Sequence, residues 1–189
     1  MTHKGTATIE TERLILRHFS PQDAEAAFAN WCSDPAVTEY LTWPPHANVQ
    51  ATRGVLESWA ASGEKPNFYQ WAIVLKEIGQ PIGSISVVGS DENVGQLEIG
   101  YCIGSKWWHR GITSEAFAAV IAFLFDEVGA DRIQARHAVE NPRSGSVMKK
   151  CGLVYEGTLR QAGRCNRGIT DLCIYSILRG EYEAKKHRS

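Results

Sequence analysis

The sequence predicts a single-domain α/β protein with a mixed, mostly antiparallel central sheet flanked by helices. Segments in which apolar and polar residues alternate indicate strands, and segments with apolar residues three or four positions apart indicate helices. Three successive strand segments joined by turn residues favour antiparallel hairpins, whereas a later strand–helix–strand order favours a crossover. The 189 residues are predicted to form one domain, 1–189, with its core at about 8–183.

The first third of the chain is predicted to contain one strand and two helices. A helix should begin after Ser20, because this hydroxyl cap is followed by Pro21 at the first helical position and Asp23 in the first turn. The segment 33–48 is predicted to be irregular, since it contains a Trp-Pro-Pro sequence. The predicted bounds are 13–17 for the strand and 49–61 for the second helix.

The rest of the chain is predicted to alternate between strands and helices. The clearest helix is 114–128, in which apolar residues recur at helical spacing. A shorter helix, 142–151, should end at Gly152, because glycine commonly terminates helices. The basic run from Lys185 to Arg188 is predicted to be a solvated end. The predicted strands are 69–76, 81–88, 96–103, 132–139, 154–159 and 171–178.

The composition argues against several classes of function. A net charge of −1 favours neither nucleic acid nor membranes as partners. Five cysteines without a CxxC pair predict a reducing compartment and no disulfide framework. The histidines show no metal-ligand spacing, so no metal is expected. The N-terminus lacks a signal-peptide pattern and no apolar run is long enough to span a bilayer, which predicts a cytoplasmic location.

The turn before the clearest helix is the strongest candidate for a binding site. Gly104 would let the preceding strand end tightly, Gly111 would permit a close approach or a positive φ, and Thr113 or Ser114 could cap the helix. Backbone N–H groups beside a helix N-terminus, aided by the helix dipole, form a seat for a pyrophosphate. An ordinary strand-to-helix turn would account for the same residues, and neither GxxxxGK(S/T) nor GxGxxG is present.

The residues of this turn resemble a known motif. The run from Trp108 to Thr113, WHRGIT, resembles the acetyl-CoA motif (Q/R)xxGx(G/A) of the GNAT superfamily of N-acetyltransferases. The wider run WWHRGITSEA resembles the RimJ/RimL-type branch, whose members acetylate protein N-termini and some small amines. The resemblance covers nearly the whole chain and includes NPRSGSVMKKCGLVYEG, which is similar to the second cofactor segment of that branch. Trp108, His109, Thr113 and Leu153 depart from the family pattern, but a cradle of backbone N–H groups tolerates such changes.

The resemblance implies acetyl-CoA as cosubstrate and no metal. It implies that Asn141 contacts the pantetheine arm, that Ser144 lies near the thioester sulfur, and that Lys150 reaches the phosphates. Independently of the resemblance, His109 and Arg110 would add positive charge at the turn. Two of these residues could serve the fold instead, because Asn141 before a proline is a good helix N-cap and Lys150 could be a solvated helix lysine. The predicted cofactor-binding residues are Cys102, Ile103, Gly104, Trp108, His109, Arg110, Gly111, Ile112, Thr113, Ser114, Asn141, Ser144 and Lys150.

Acetyl transfer from a thioester requires a deprotonated amine, donors for the oxyanion and stabilisation of the leaving thiolate. Glu98 is the predicted general base, directly or through water, because apolar neighbours would partly desolvate it and the family often uses a glutamate on this strand. It could instead pair with an arginine or face solvent. Ser144 is the predicted acid, and backbone N–H groups around Cys102 and Ile103 are the predicted oxyanion donors. Cys102 and Cys151 are expected to be core residues rather than nucleophiles.

The acceptor pocket has the weakest sequence signal. Trp43, His46, Trp71 and Tyr101 are predicted to bind substrate, although aromatic residues would equally serve a core. The predicted function is acetyl transfer to a primary amine, with a protein N-terminus such as that of a ribosomal protein as the first choice. A small-molecule amine acetyltransferase and a non-catalytic acyl-CoA-binding protein are the alternatives. The resemblance also suggests a homodimer.

Overall fold

The computed structural model describes residues 1–187, which contain eight strands in one sheet. The strands are β1 (Ile9–Glu10), β2 (Leu14–His18), β3 (Gln70–Leu75), β4 (Gln80–Asp91), β5 (Gln96–Ile103), β6 (Arg132–Ala138), β7 (Val154–Cys165) and β8 (Gly168–Leu178). The helices are α1 (Ala24–Ala27), α2 (Pro35–Thr38), α3 (Val49–Ser62), α4 (Ile112–Phe123), α5 (Pro142–Lys150) and α6 (Arg179–Lys186).

The strands follow the order β1-β2-β3-β4-β5-β6-β8-β7 across the sheet. Among the described strands, β5 and β6 form a parallel pair and the other neighbours are antiparallel. Helices α4 and α5 pack on one face of the sheet, and α1 and α3 pack on the other. The predicted mixed, mostly antiparallel sheet flanked by helices is confirmed.

Helix α2 and the hairpin of β7 and β8 differ from the prediction. Helix α2 lies in the segment predicted to be irregular, where Asp34 caps it by accepting from Ala36 N at 2.9 Å. Strands β7 and β8 continue past their predicted ends into a long hairpin. The sequence between the predicted strands is polar and charged, so it lacks the alternation that marks a half-buried strand.

The C-terminal helix α6 was not predicted either. It begins where Glu181 accepts from Leu178 N at 2.9 Å, which satisfies a backbone donor at the end of β8. The basic tail predicted to be solvated contributes to this helix, and Lys186 Nζ lies 2.9 Å from Asp126 Oδ2. Arg188, the last residue of that predicted tail, lies outside the described residues.

The sheet opens in its middle between β5 and β6. Their parallel pairing runs from Gln96 with Arg132 to Ile99 with Ala135 and stops there, although both strands continue. Residues 100–103 therefore pair with β4 on one side and leave the β6 side open. Helix α4 follows β5 and helix α5 follows β6, so both helix N-termini lie at this opening. The opening positions the candidate site.

Candidate active site

A cavity of about 810 Å³ occupies the opening between β5 and β6. Its walls are the end of β5, the turn and first residues of α4, one side of α5, and α2 with the segment that follows it. Most residues of the predicted site line this cavity. They are Tyr101, Cys102, Ile103, Trp108, His109, Gly111, Ile112, Thr113, Ser114, Asn141, Ser144 and Lys150.

The first turn of α4 presents backbone donors to the cavity. Gly111 is the N-cap residue and has a φ of 73°, a conformation that glycine adopts without steric cost. The first amides of a helix have no acceptor within the helix, and a glycine cap has no side chain to accept from them. The prediction that Thr113 or Ser114 caps the helix is wrong. The positive φ of Gly111 starts the helix at Ile112 and places both residues inside the first turn.

Glu115 anchors this turn to the N-terminal part of the sheet. Its carboxylate accepts from Thr11 Oγ1 at 2.6 Å and from Arg13 N at 2.9 Å, and it pairs with Arg13 NH2 at 2.7 Å. Arg13 also donates to the carbonyl of Arg110 at 3.0 Å. Burial alone would raise the pKa of Glu115, but these hydrogen bonds outweigh burial and hold that pKa below its ordinary value. Contacts within the protein therefore fix the position of the turn.

Cationic side chains surround the turn. A Cβ built on Gly111 would lie 3.6 Å from Lys150 Nζ and 3.7 Å from Arg13 NH2. Arg143 also lines the cavity, and its guanidinium carbon lies 5.7 Å from the centroid of the Trp108 ring. Positive charge beside an uncapped helix N-terminus is suited to binding a diphosphate. His109 completes this part of the wall in a left-handed conformation, with a φ of 61°.

Tyr101 and Ser144 are in contact on the cavity wall. The Tyr101 hydroxyl lies 3.0 Å from Ser144 O and 3.1 Å from Ser144 Oγ. Burial raises the pKa of Tyr101, so the phenol keeps its proton at neutral pH. The sequence predicted a substrate-binding role for Tyr101 and an acid role for Ser144, but not their contact. Two adjacent hydroxyl groups can pass a proton between them.

Asn141 occupies the N-cap position of α5, but its side chain makes no capping hydrogen bond. Its φ of −109° and ψ of 64° lie outside the extended conformation typical of a capping residue. The predicted N-cap position of Asn141 is therefore confirmed, but its side chain does not cap the helix. Asn141 also lines the cavity.

The open edge of β5 exposes the backbone of particular residues. Gly104 N donates to Ile82 O at 2.9 Å, so the alternation of the antiparallel ladder also directs the amide of Cys102 toward β4. The same alternation directs the amide of Ile103 toward the opening. Of the two predicted oxyanion donors, Ile103 therefore has its N–H directed toward the opening, and Cys102 does not. Burial raises the pKa of the Cys102 thiol and raises that of Cys151 to about 12, so neither is a ready nucleophile.

Glu98 lies beside the cavity and does not line it. Its Oε1 lies 2.6 Å from Arg136 Nε, and its Oε2 accepts from Gln134 Nε2 at 3.1 Å. The side chain is 12% exposed. Pairing with an arginine was one of the alternatives that the sequence left open. The role of Glu98 as a base stays a prediction.

Gly104 and Arg110 support the turn from outside the cavity. A Cβ on Gly104 would collide with the carbonyl of Asn30 and with the Trp107 ring, so this glycine permits a close approach of two segments. The Arg110 guanidinium lies 3.7 Å from Glu77 Oε2. Arg110 therefore contributes its carbonyl to the Arg13 contact, and its charge is directed toward Glu77 instead of the cavity.

The aromatic residues predicted for the acceptor pocket, apart from Tyr101, lie elsewhere. Trp71 is fully buried, and its Nε1 donates to Ala7 O at 2.7 Å, which is the position of a core residue. The rings of Trp43 and His46 contact each other at a tilt of 46° with 5.2 Å between their centroids, and His46 Nδ1 lies 2.8 Å from Thr52 Oγ1 of α3. Neither lines the cavity. The segment that carries them contacts α3 through His46.

Four further residues of the cavity wall were not singled out by the sequence. Glu39, Tyr40 and Leu41 follow α2, and Glu140 precedes α5. The segment 39–41 has no periodic pattern that could have marked it, whereas Glu140 lies next to the predicted Asn141. The Glu140 carboxylate accepts from Thr170 Oγ1 at 2.7 Å, and this hydrogen bond lowers its pKa below the ordinary value.

Within residues 1–187, no group of three or more histidine, cysteine or acidic side chains is arranged to hold a metal ion. In the same part of the chain, no helix has the length and apolar character needed to cross a bilayer. All five cysteines are free thiols.

The fold and the cavity together are those of an N-acetyltransferase, and comparisons with known proteins agree. A family model described as an acetyltransferase (GNAT) domain matches residues 13–154. The uncharacterized N-acetyltransferase p20 of Bacillus licheniformis is 30% identical over 175 residues, which cover 93% of this chain and 98% of that protein. The ribosomal-protein-serine acetyltransferase of Escherichia coli (strain K12) is 32% identical over 174 residues, covering 90% of this chain and 96% of that protein.

A solved structure gives the same result. The acetyltransferase (GNAT family) from Bacillus anthracis matches with a TM-score of 0.81 at 27% identity, covering 93% of this chain and 100% of that chain. The chain therefore belongs to the GNAT family of N-acetyltransferases. Enzymes of this family use acetyl-CoA, and the resemblance found in the turn motif is confirmed.

Proposed function

We propose that this enzyme transfers the acetyl group of acetyl-CoA to a primary amine, with the N-terminal amine of a protein as the preferred acceptor. One observation carries the proposal: a single cavity connects the uncapped first turn of α4, the Tyr101–Ser144 pair and the segment 39–41. One end offers backbone donors and cations, and the other offers carboxylates and an aromatic ring. The ribosomal-protein-serine acetyltransferase of Escherichia coli supports a protein acceptor.

The cofactor end would hold acetyl-CoA through backbone and cationic groups. The amides of residues 112–114 and the ammonium of Lys150 would bind the diphosphate. Asn141 and the open edge of β5 would bind the pantetheine arm, since both present amide groups to the cavity. When bound, acetyl-CoA supplies an activated thioester carbonyl.

Tyr101, Ser144 and Ile103 are the proposed groups at the reacting thioester. The Ile103 N–H would donate to the oxyanion from a fixed position, which is the arrangement that stabilises developing charge most effectively. Tyr101 would donate its proton to the departing thiolate, because its hydroxyl belongs to a residue of the cavity wall and lies in contact with Ser144. The Ser144 hydroxyl would donate a hydrogen bond to the resulting phenolate across the 3.1 Å contact, and a proton taken up from solvent would restore the phenol.

The acceptor amine must lose a proton before it attacks, because an ammonium ion has no lone pair. Glu98 remains the proposed base. Since its carboxylate is held by Arg136 outside the cavity, a water molecule must carry the proton between the amine and Glu98. Glu140 lines the cavity, so we assign it the separate role of attracting the incoming ammonium group.

A thiol-release assay with acetyl-CoA tests the acceptor assignment. The panel contains hexapeptides that begin with serine or alanine, spermidine and free amino acids. Release with the peptides is expected. Release with spermidine or amino acids alone would favour a small-molecule acceptor, for which the carboxylates of Glu39 and Glu140 at the acceptor end are the supporting observation. Coenzyme A binding without release by any amine would refute the enzymatic assignment of this cavity.

Two isosteric variants separate the roles of the carboxylates. Glu98→Gln should lower kcat and leave coenzyme A affinity unchanged, because an amide cannot accept the amine proton at neutral pH. Glu140→Gln should instead raise the KM of the amine and leave kcat nearly unchanged. Unaltered turnover in Glu98→Gln would exclude Glu98 as the base.

A further inference from the structure

The tip of the β7–β8 hairpin makes contacts that the proposed chemistry does not use. Asn166 N donates to Leu41 O at 3.1 Å, and Asn166 Nδ2 donates to Thr38 O and to Trp43 O, both at 2.8 Å. A side-chain amide nitrogen carries two hydrogens, so both are used. Asn166 therefore binds three carbonyl groups of one short segment, which lies more than a hundred residues earlier in the chain.

Arg167 contacts the side chains of the same segment. Arg167 NH1 lies 2.8 Å from Glu39 Oε1 and 3.3 Å from the Tyr40 hydroxyl. The guanidinium carbon also lies 5.7 Å from the centroid of the Tyr40 ring. Glu39 and Tyr40 line the cavity, whereas Asn166 and Arg167 do not. Residues 39–41 form the part of the cavity wall that the proposed function assigns to the acceptor, and we call this part the acceptor wall. The hairpin tip thus contacts the acceptor wall from outside the cavity.

The acceptor wall needs this support because its backbone is irregular. Residues 39–43 belong to no helix or strand, so the carbonyls of this segment have no ladder in which to pair. A loop with few backbone hydrogen bonds of its own takes its position from the groups that bind it. The same hairpin also reaches the opposite wall, where Thr170 of β8 donates to Glu140 at 2.7 Å.

We propose that Asn166 and Arg167 are positioning residues for the acceptor amine. They fix the segment 38–43 at the distance from β5 that the acceptor requires, so affinity for the amine depends on the hairpin tip and affinity for the cofactor does not. The inference rests on the proposed function, because that proposal assigns this end of the cavity to the acceptor.

Asn166→Asp is the direct test, since it keeps the shape of the side chain, removes both donors and sets a carboxylate against two carbonyl oxygens. For the serine-starting hexapeptide, the KM should rise about tenfold or more, which is the loss of one to two hydrogen bonds. The kcat at saturation should stay within about twofold, and the Kd for coenzyme A should not change. Arg164→Ala is the matched control, because Arg164 is exposed on the same hairpin.

An unchanged KM in folded Asn166→Asp would overturn the inference. Equal losses in kcat, KM and coenzyme A affinity would also overturn it, because they would show a general structural role. If Asn166→Asp fails to fold, Arg167→Leu decides instead, since it leaves the backbone contacts of Asn166 in place. That variant should raise the KM about threefold at constant Kd for coenzyme A, and an unchanged KM would again refute the inference.

Hydrogen exchange separates this inference from the proposed function, because it needs no acceptor. The segment 38–46 should exchange faster in Asn166→Asp than in the wild type and in Arg164→Ala. Exchange at the wild-type rate would overturn the positioning role. Absence of thiol release by the wild type, with faster exchange in Asn166→Asp, would instead refute the proposed acceptor and leave the support of the wall intact.

Discussion

Replacement of Gly111 by alanine tests the proposed cofactor seat most directly. Gly111 has a φ of 73°, and a left-handed conformation costs a non-glycine residue roughly 1–2 kcal/mol. The added Cβ would lie 3.6 Å from Lys150 Nζ, which is an ordinary contact, so the fold should survive. The melting temperature should fall by about 2–8 °C for a chain of this size. The methyl group would, however, enter the space between the helix N-terminus and Lys150. Coenzyme A affinity should therefore fall at least about tenfold, or ~1.4 kcal/mol.

Gly79→Ala is the matched control for this experiment. Gly79 lies in the turn after β3 with a φ of 63°, and no heavy atom of the described residues beyond its chain neighbours lies within 4 Å of its Cβ position. Alanine at position 79 therefore has the same conformational cost in the backbone, but its methyl group would not approach a bound cofactor. Isothermal calorimetry with coenzyme A and scanning calorimetry measure both variants. If Gly111→Ala binds coenzyme A with wild-type affinity while its melting temperature falls as expected, the proposed cofactor site at the N-terminus of α4 is refuted.

Three further predictions follow from the pKa values and contacts of the site and the sheet. Tyr101→Phe should lower kcat by about 10²-fold at constant coenzyme A affinity, as steady-state kinetics would show, and an unchanged kcat would exclude the phenol as proton donor. Hydrogen bonds from Arg132 hold the pKa of Glu156 at about 2, so its stabilisation is complete above about pH 4.5 and is lost as the pH falls toward 2. Glu156→Gln should lower the free energy of unfolding at pH 7 by about 0.5–1 kcal/mol, since the pair is partly exposed, and by less near pH 2. Denaturant titrations at both pH values measure this difference, and an equal loss at both would contradict the linkage. Burial raises the pKa of Cys151 to about 12, so iodoacetamide at pH 8 should modify this thiol far more slowly in the native protein than in urea. Mass spectrometry measures both rates, and equal rates would show that the thiol is accessible in the native protein.

Elements with local signals could be predicted from the sequence. Ser20 caps a short 3-10 helix, Pro21–Asp23, that leads directly into α1, with Asp23 returning a hydrogen bond to the Ser20 backbone, because a capping box needs only four consecutive residues. Helix α3 begins at the predicted residue, and β5 has its predicted bounds. Gly111 has the positive φ that the turn motif indicated. In each case neighbouring residues decide the conformation, so their order in the chain is sufficient information.

Features that depend on distant contacts could not be predicted in this way. The position of residues 39–43 depends on Asn166 and Arg167, and no local pattern connects the two segments. Trp71 is an aromatic residue on a strand, and its sequence neighbourhood does not tell whether the ring faces the core or a channel. Glu98 was expected to serve the reaction, but the sequence could not show that Arg136, on the adjacent strand, pairs with it.

The short parallel contact between β5 and β6 divides the sheet into two parts. Within the sheet, four residue pairs join the part made of β1 to β5, which is followed by α4, to the part made of β6 to β8, which carries α5. A ligand bound to the N-termini of both helices would therefore connect the two parts of the sheet. By mass action, such a ligand at a hundred times its Kd adds about 2.7 kcal/mol to the folded state. The cofactor would thus hold closed the same gap that admits it.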